Sequence, residues 1–420
     1  MSEELVVARQ NFNLKLLTYW FLYTTFSGAV RKWVFTDALT GNIMLGIQIG
    51  VPLLFVFLAK TKPLSSFTGT LFAAYSLLLL LMAFNPLAQT LIHGTIGYFL
   101  HTGVFFPLLV YLNDREAFPV ERLNRLFLIV ILVEVVLGVA QFLAPSTSIL
   151  NKYVRDTTEV GGIAMLNAVN RVRITGTFSY IGGMTSLFTM MGFVIWGFRL
   201  TRQSPIWIAA LLICCGVVSP MTGSRGLSAL LILLVGCAFL STVKEMRNTV
   251  SLALLAGLTL IILQYSNFSL IGEAYTGLHE RINAHGQDGE NRSRVVGQIE
   301  EIVDFRGNYP LLGTGLGGTY QGAKALFGES QALQEYGFYE EEPERIILEG
   351  GFLLFFARLL IWWILFRRST IPLFFSIILL YMHVFYQVTL FNVFTSFYTV
   401  VGIMYLDRCY WLRYQQEKIV

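Results

Sequence analysis

Five arginines carry the clearest chemical signal in this sequence. Arg171 and Arg173 sit in NRVRITGTF, Arg225 in MTGSRGL, and Arg292 and Arg294 in NRSRVVGQIEEIVDF. A guanidinium keeps its charge at any relevant pH and pairs bidentately with phosphate. Gathered at one membrane face, these groups would suit a lipid-linked phosphate or diphosphate. The plainer alternative is that each arginine anchors a span end to lipid headgroups. Arg225 is flanked by the small residues Thr222, Gly223, Ser224 and Gly226, which favours a site over an anchor.

A second constellation is Glu340–Glu349, in EEEPERIILEGG, where a polar stretch runs into an apolar one. A carboxylate there, Glu344 above all, could take a proton from an attacking hydroxyl if burial suits its pKa. The alternative is a solvated acidic run before a helix, where negative charge suits the N-terminal end of the dipole. Glu344 and Glu349 are five apart and do not quite share a helix face. His279 and His285, with Asp288 and Glu290 nearby, fit no zinc spacing, and no thiol ligand accompanies them, so no metal is expected. His93, His101 and His383 lie in or beside apolar segments, where packing or a helix-to-helix bond is the plain reading. Glu134 lies inside an apolar segment, where an acid is expensive and is usually paired or functional. GTGLGG at Gly313–Gly318 matches GxGxxG by letters. It follows a proline in a polar stretch and has no βαβ context, so a dinucleotide fold is rejected and tight backbone turning is expected.

The elements that must hold these residues are membrane spans. The chain has 420 residues, 55% hydrophobic and only 13% charged, against about 25% charged in soluble domains. The expected architecture is an all-α polytopic membrane protein. About twelve spans are expected, with ten to twelve plausible, near 14–30, 41–59, 67–84, 90–112, 124–143, 181–198, 205–219, 226–241, 249–266, 348–366, 371–388 and 392–409. Lys60/Lys62, Arg115/Arg122/Arg125, Arg199/Arg202, Lys244/Arg247, Arg367/Arg368 and Arg408/Arg413/Lys418 fall on one side if the spans alternate, and the positive-inside rule makes that side cytoplasmic. Both termini are then cytoplasmic, and two long loops, 144–180 and 267–347, are extracytoplasmic. The short segments Asn85–Gln89 and Thr389–Phe391 fall on the outer side. The second long loop holds about half of the acidic residues and an amphipathic helix over Asn291–Phe305, with Val295, Val296, Ile299, Ile302 and Val303 on one stripe. The N-terminus, MSEELVVARQNFNLK, lacks a basic n-region and is not read as a cleaved signal. The four cysteines lie outside the polar loops and form no disulfide framework. Nothing suggests a nucleic-acid partner. One membrane domain, 1–420, is expected.

RITGTFSY before a span, TGSRGL at a span edge, NRSRVVGQIEEIVDFRGNYPLLGTGLGG and a closing RIILEGGFL resemble, in that order, the O-antigen ligase and O-antigen polymerase superfamily. The resemblance covers roughly 170–365. It implies a glycosyltransferase of the bacterial inner membrane, working in O-antigen, lipopolysaccharide or exopolysaccharide synthesis without a metal or other cofactor. Such an enzyme moves a glycan from an undecaprenyl-diphosphate carrier to a glycan or lipid acceptor hydroxyl, alongside other polysaccharide-assembly proteins. Arg173, Arg225 and Arg294 would hold the diphosphate, with Arg171 and Arg292 beside them. Arg294 would also act catalytically as the leaving group gains charge. The chain departs from the family where a His-Asn pair often precedes the terminal Glu-Gly. Pro343-Glu344-Arg345 stands there instead, and Glu344 would be the stand-in base. Two other classes fit the composition: a transporter or flippase of a lipid-linked or polar solute, and a non-catalytic partner of a polysaccharide machine.

Overall fold

The computed structural model describes residues 3–88, 90–152, 164–242, 269–286, 311–320, 328, 330–336 and 342–419. The protein is a helical bundle. Its helices are α1 (Glu3–Ala29), α2 (Ala38–Leu58), α3 (Ser66–Ala83), α4 (Leu91–Thr102), α5 (Phe105–Asn113), α6 (Asn124–Leu143), α7 (Ile181–Leu200), α8 (Pro205–Thr222) and α9 (Arg225–Leu240). They continue with α10 (Ser269–Gly286), α11 (Gln331–Tyr336), α12 (Glu342–Arg368), α13 (Leu373–Tyr381) and α14 (Val393–Ile419). A two-residue hairpin pairs Met165–Leu166 with Arg171–Val172. A helix stands at each expected span position except 249–266, which lies outside the described residues. So does the amphipathic stripe of 291–305. Among the described residues, seven helical stretches are long and apolar enough to cross a membrane.

The bundle has two chemically different ends. At one end the basic loops are stapled together. Arg9 pairs with Asp114 at 3.0 Å, Arg115 with Asp407 at 2.7 Å and Arg408 with Glu121 at 3.1 Å. Asn13 Nδ2 donates to the Lys60 and Ala117 carbonyls, and Arg368 Nη1 donates to Thr68 Oγ1. At the other end Trp33 Nε1 donates to the Ile149 carbonyl and Asn85 Nδ2 to that of Gly313. From Asn13 to Lys32 is about 28 Å of helix at 1.5 Å per residue, so α1 runs from one end of the bundle to the other. α14 runs in the opposite sense, from Val393 to Asp407 and beyond.

The core forms around α7, which α8, α9 and α14 surround. Small residues set the spacing there: a Cβ on Gly197 would strike Tyr405, and one on Gly402 would strike Phe193. Close approach of this kind drives helix association where water supplies no hydrophobic force. Outer helices show the converse pattern. α6 exposes Ile129, Leu132 and Val136 while Glu134 is fully buried, as expected of a helix facing lipid on one side and protein on the other.

Two expected loop segments prove to be interior. Ile174, Thr175, Thr177 and Phe178 of the first long loop are buried in the bundle. Thr389, Leu390 and Phe391, expected as a surface turn, are buried too. Non-helical backbone is tolerated inside a membrane protein only where its polar groups find partners, and both segments have them.

Candidate functional site

The feature that organises the site is a break in α12. Gly351 has φ 67° and ψ −173°, a left-handed-side conformation that ends one helix and starts another. The break is sharp, because Glu342 is ion-paired with Arg358. Sixteen residues of straight helix would hold those positions about 24 Å apart. Glu342–Gly350 is therefore a half-helix folded back against the long half that follows. Glu342, Pro343, Glu344 and Arg345 are carried into the bundle and are all buried. Proline and acids in the first turn suit the start of a helix, where donors are unpaired and the dipole is positive.

The glycine run caps the other end of this half-helix. A helix end leaves carbonyls without intrahelical partners. Thr314 N donates to the Leu348 carbonyl at 2.8 Å and Gly315 N to that of Glu349 at 3.0 Å. Side chains would prevent this approach. A Cβ on Gly351 would overlap the Leu311 carbonyl oxygen, and one on Gly317 would overlap that of His93. GTGLGG is thus a turn that closes backbone against backbone, as the sequence led us to expect.

Glu342, Arg345 and Glu349 are spaced i, i+3, i+7 and share one face of the half-helix. Each meets a partner from elsewhere in the chain. Glu342 accepts from Arg358 and from the backbone N–H groups of Thr389 and Leu390. Glu349 Oε2 lies 3.1 Å from His101 Nε2, and its Oε1 accepts from Thr319 N at 3.0 Å and Thr319 Oγ1 at 2.6 Å. Arg345 Nη2 donates to the Thr319 carbonyl at 2.6 Å, and the guanidinium lies 4.0 Å from the Phe391 ring centre. The alternative of a solvated acidic run therefore fails for Glu342, Glu344 and Glu349, which are all buried. Glu340 and Glu341 lie outside the described residues.

Of the arginines expected to bind substrate, Arg171, Arg173 and Arg225 are described, and they stand at the same end of the bundle. Arg173 Nε donates to the Thr222 carbonyl at 2.7 Å, and Arg225 opens α9 three residues later, after the Ser224 cap. The two guanidinium-bearing residues thus stand on either side of the Thr222–Ser224 turn. Tyr386 faces this turn across Gly226. Arg171 is engaged by Glu273 of α10 at 2.8 Å. Arg292 and Arg294 lie outside the described residues.

A second buried network supports the RITGTF segment. Lys32 Nζ donates to Thr175 Oγ1 at 3.1 Å and to the Gly176 carbonyl at 2.6 Å. Glu134 accepts from Thr177 N at 3.0 Å and from Thr177 Oγ1. Gln141 Oε1 accepts from Thr175 N and Gly176 N. Glu134 therefore holds the segment that carries Arg173 rather than bridging two spans alone.

Among the described residues no group of three His, Cys, Asp or Glu side chains could hold a metal ion. His279 is exposed and shares a hydrogen bond with Asn283. Cys215, Cys237 and Cys409 are buried, Cys214 is partly so, and all four are free thiols. The residues that sequence reasoning underrated are His101, Thr319, Glu342, Arg345 and Arg358. Comparison of the chain with protein-family models, curated proteins and solved structures finds no match.

Proposed function

We propose that this protein is a membrane glycosyltransferase that moves a glycan from a polyprenyl-diphosphate carrier to a hydroxyl of a saccharide or lipid acceptor. It would do so as an O-antigen or exopolysaccharide polymerase or ligase of the bacterial inner membrane. The observation that carries the reading is the placement of Arg173 and Arg225 on one turn, at the end of the bundle opposite the stapled basic loops. If the basic end is cytoplasmic, that turn meets the outer leaflet, both termini are cytoplasmic, and about twelve spans complete the bundle.

In this reading the acceptor oxygen forms a bond to the anomeric carbon while the carbon–oxygen bond to the diphosphate breaks. The diphosphate leaves with the electron pair, and fixed guanidinium charges stabilise it as it departs, without a metal. Arg173 and Arg225 hold the phosphates, Arg294 joins them, and Arg171 and Arg292 flank them. The acceptor proton passes to a carboxylate, for which Glu344 is the candidate. Arg225→Ala should abolish polymer extension in cells while the protein inserts at wild-type level. Polymer of wild-type length in that variant would refute the reading.

The second reading is a transporter or flippase of a lipid-linked or polar solute. The broken α12, with its ion pairs inside the bundle, favours it, because discontinuous helices of this kind form solute sites in transporters. A non-catalytic assembly partner has no structural feature of its own in support.

A further inference from the structure

Near the docking point of the half-helix, several buried polar atoms make no hydrogen bond among the described residues. Arg358 leaves Nε and Nη1 unused, Trp362 its Nε1 and Tyr75 its Oη. All three side chains are almost wholly buried. They are also neighbours. Arg358 and Trp362 are one helical turn apart on α12. Tyr75 and Trp362 both pack edge-on against Phe105, at 5.5 and 5.2 Å between ring centres. The His383 ring stacks on Trp362 at 5.1 Å, and the His383 carbonyl accepts from Arg358 Nη2.

A buried polar group without a partner is costly and rare, and each instance needs an explanation. Three of these atoms are obligate donors, because guanidinium and indole nitrogens accept nothing. Tyr75 Oη can accept as well as donate, and so can a histidine ring. The Arg358 charge is already balanced by Glu342. An anion would satisfy the donors but add an uncompensated charge in a low-dielectric interior. A water molecule offers two lone pairs to the N–H groups and two hydrogens to Tyr75 and His383, and buried waters make about three such bonds. We infer that Arg358, Trp362 and Tyr75 enclose a buried hydration site, holding ordered water at the point where the half-helix docks. This is independent of any catalytic reading.

Radiolytic hydroxyl-radical footprinting of the whole protein in nanodiscs tests it, because radicals generated from bound water oxidise the side chains that touch it. Trp196 and Tyr398 serve as internal references. Both are buried, but Trp196 Nε1 is bonded to Ser241 Oγ and Tyr398 Oη to Thr25 Oγ1. Oxidation of Tyr75 and Trp362 several-fold faster than these references is expected. Equal, slow oxidation of all four would overturn the inference. A second readout is Tyr75→Phe, which should leave Tm unchanged or lower it. A rise in Tm would mean that a stranded hydroxyl had been removed from a dry site. A chloride-dependent Tm without fast labelling would replace water with an anion and would also overturn it.

Discussion

Replacing Glu342 with glutamine should loosen the half-helix more than any other single-atom change in the site. The substitution keeps the shape and leaves an amide oxygen for the Thr389 and Leu390 N–H groups. It removes the charge opposite Arg358, whose side chain is only 1% exposed. Arginine cannot shed its proton to escape, so the cation is left buried and uncompensated. Breaking a buried pair in this way costs about 3–5 kcal/mol. At about 1.4 kcal/mol per decade that is roughly two to four decades in the opening equilibrium of Glu342–Gly350. Arg358→Met should cost less, about 1–3 kcal/mol, because Glu342 retains two N–H donors and can take up a proton. The double variant should be more stable than Glu342→Gln alone. Hydrogen exchange resolved to the amides of 342–350, in detergent or nanodiscs, reads the effect directly. Unchanged protection in Glu342→Gln, or a double variant as damaged as the sum of the singles, would refute the folded-back geometry.

Two further predictions concern the supports of the site. Gly351→Ala places a methyl group on the Leu311 carbonyl and in a conformation that side chains avoid, so it should sharply lower the yield of folded protein. Gly46→Ala, on an open face of α2, should be tolerated in the same expression assay, and equal yields would show that the break is not required. Lys32→Met withdraws the cation that holds Thr175 and Gly176, and should destabilise by about 1–3 kcal/mol by the loss of buried hydrogen bonds. Thermal unfolding measures it, and a Tm at or above wild type would mean that the RITGTF segment does not depend on this contact.

The helix positions were legible because apolar runs of about twenty residues have few other stable homes. The role of GTGLGG was half legible: the glycines announced a tight turn, but not that it would cap a half-helix more than thirty residues later. The Gly350–Gly351 pair was itself a break signal, in a stretch read as one span from 348. EEEPERIILE offers Glu344 as a possible base, with a solvated acidic run as the alternative, and its helix face goes unread. The i, i+3, i+7 spacing of Glu342, Arg345 and Glu349 was present in the letters. Their partners were not, because His101 lies 248 residues from Glu349 and folding alone brings the two together. Similarly, Glu134 stood out as an intramembrane acid, but its contact with Thr177 spans two elements that no local pattern connects.

The central claim is transfer from a lipid diphosphate at the Arg173–Arg225 turn. Purified protein should be reconstituted in liposomes with a polyprenyl-diphosphate-linked oligosaccharide and an acceptor, and both extended glycan and released lipid diphosphate measured. The account predicts one diphosphate released for each glycan transferred, and neither product with Arg225→Ala. An intact donor that is instead moved across the bilayer would contradict it and establish the transport reading.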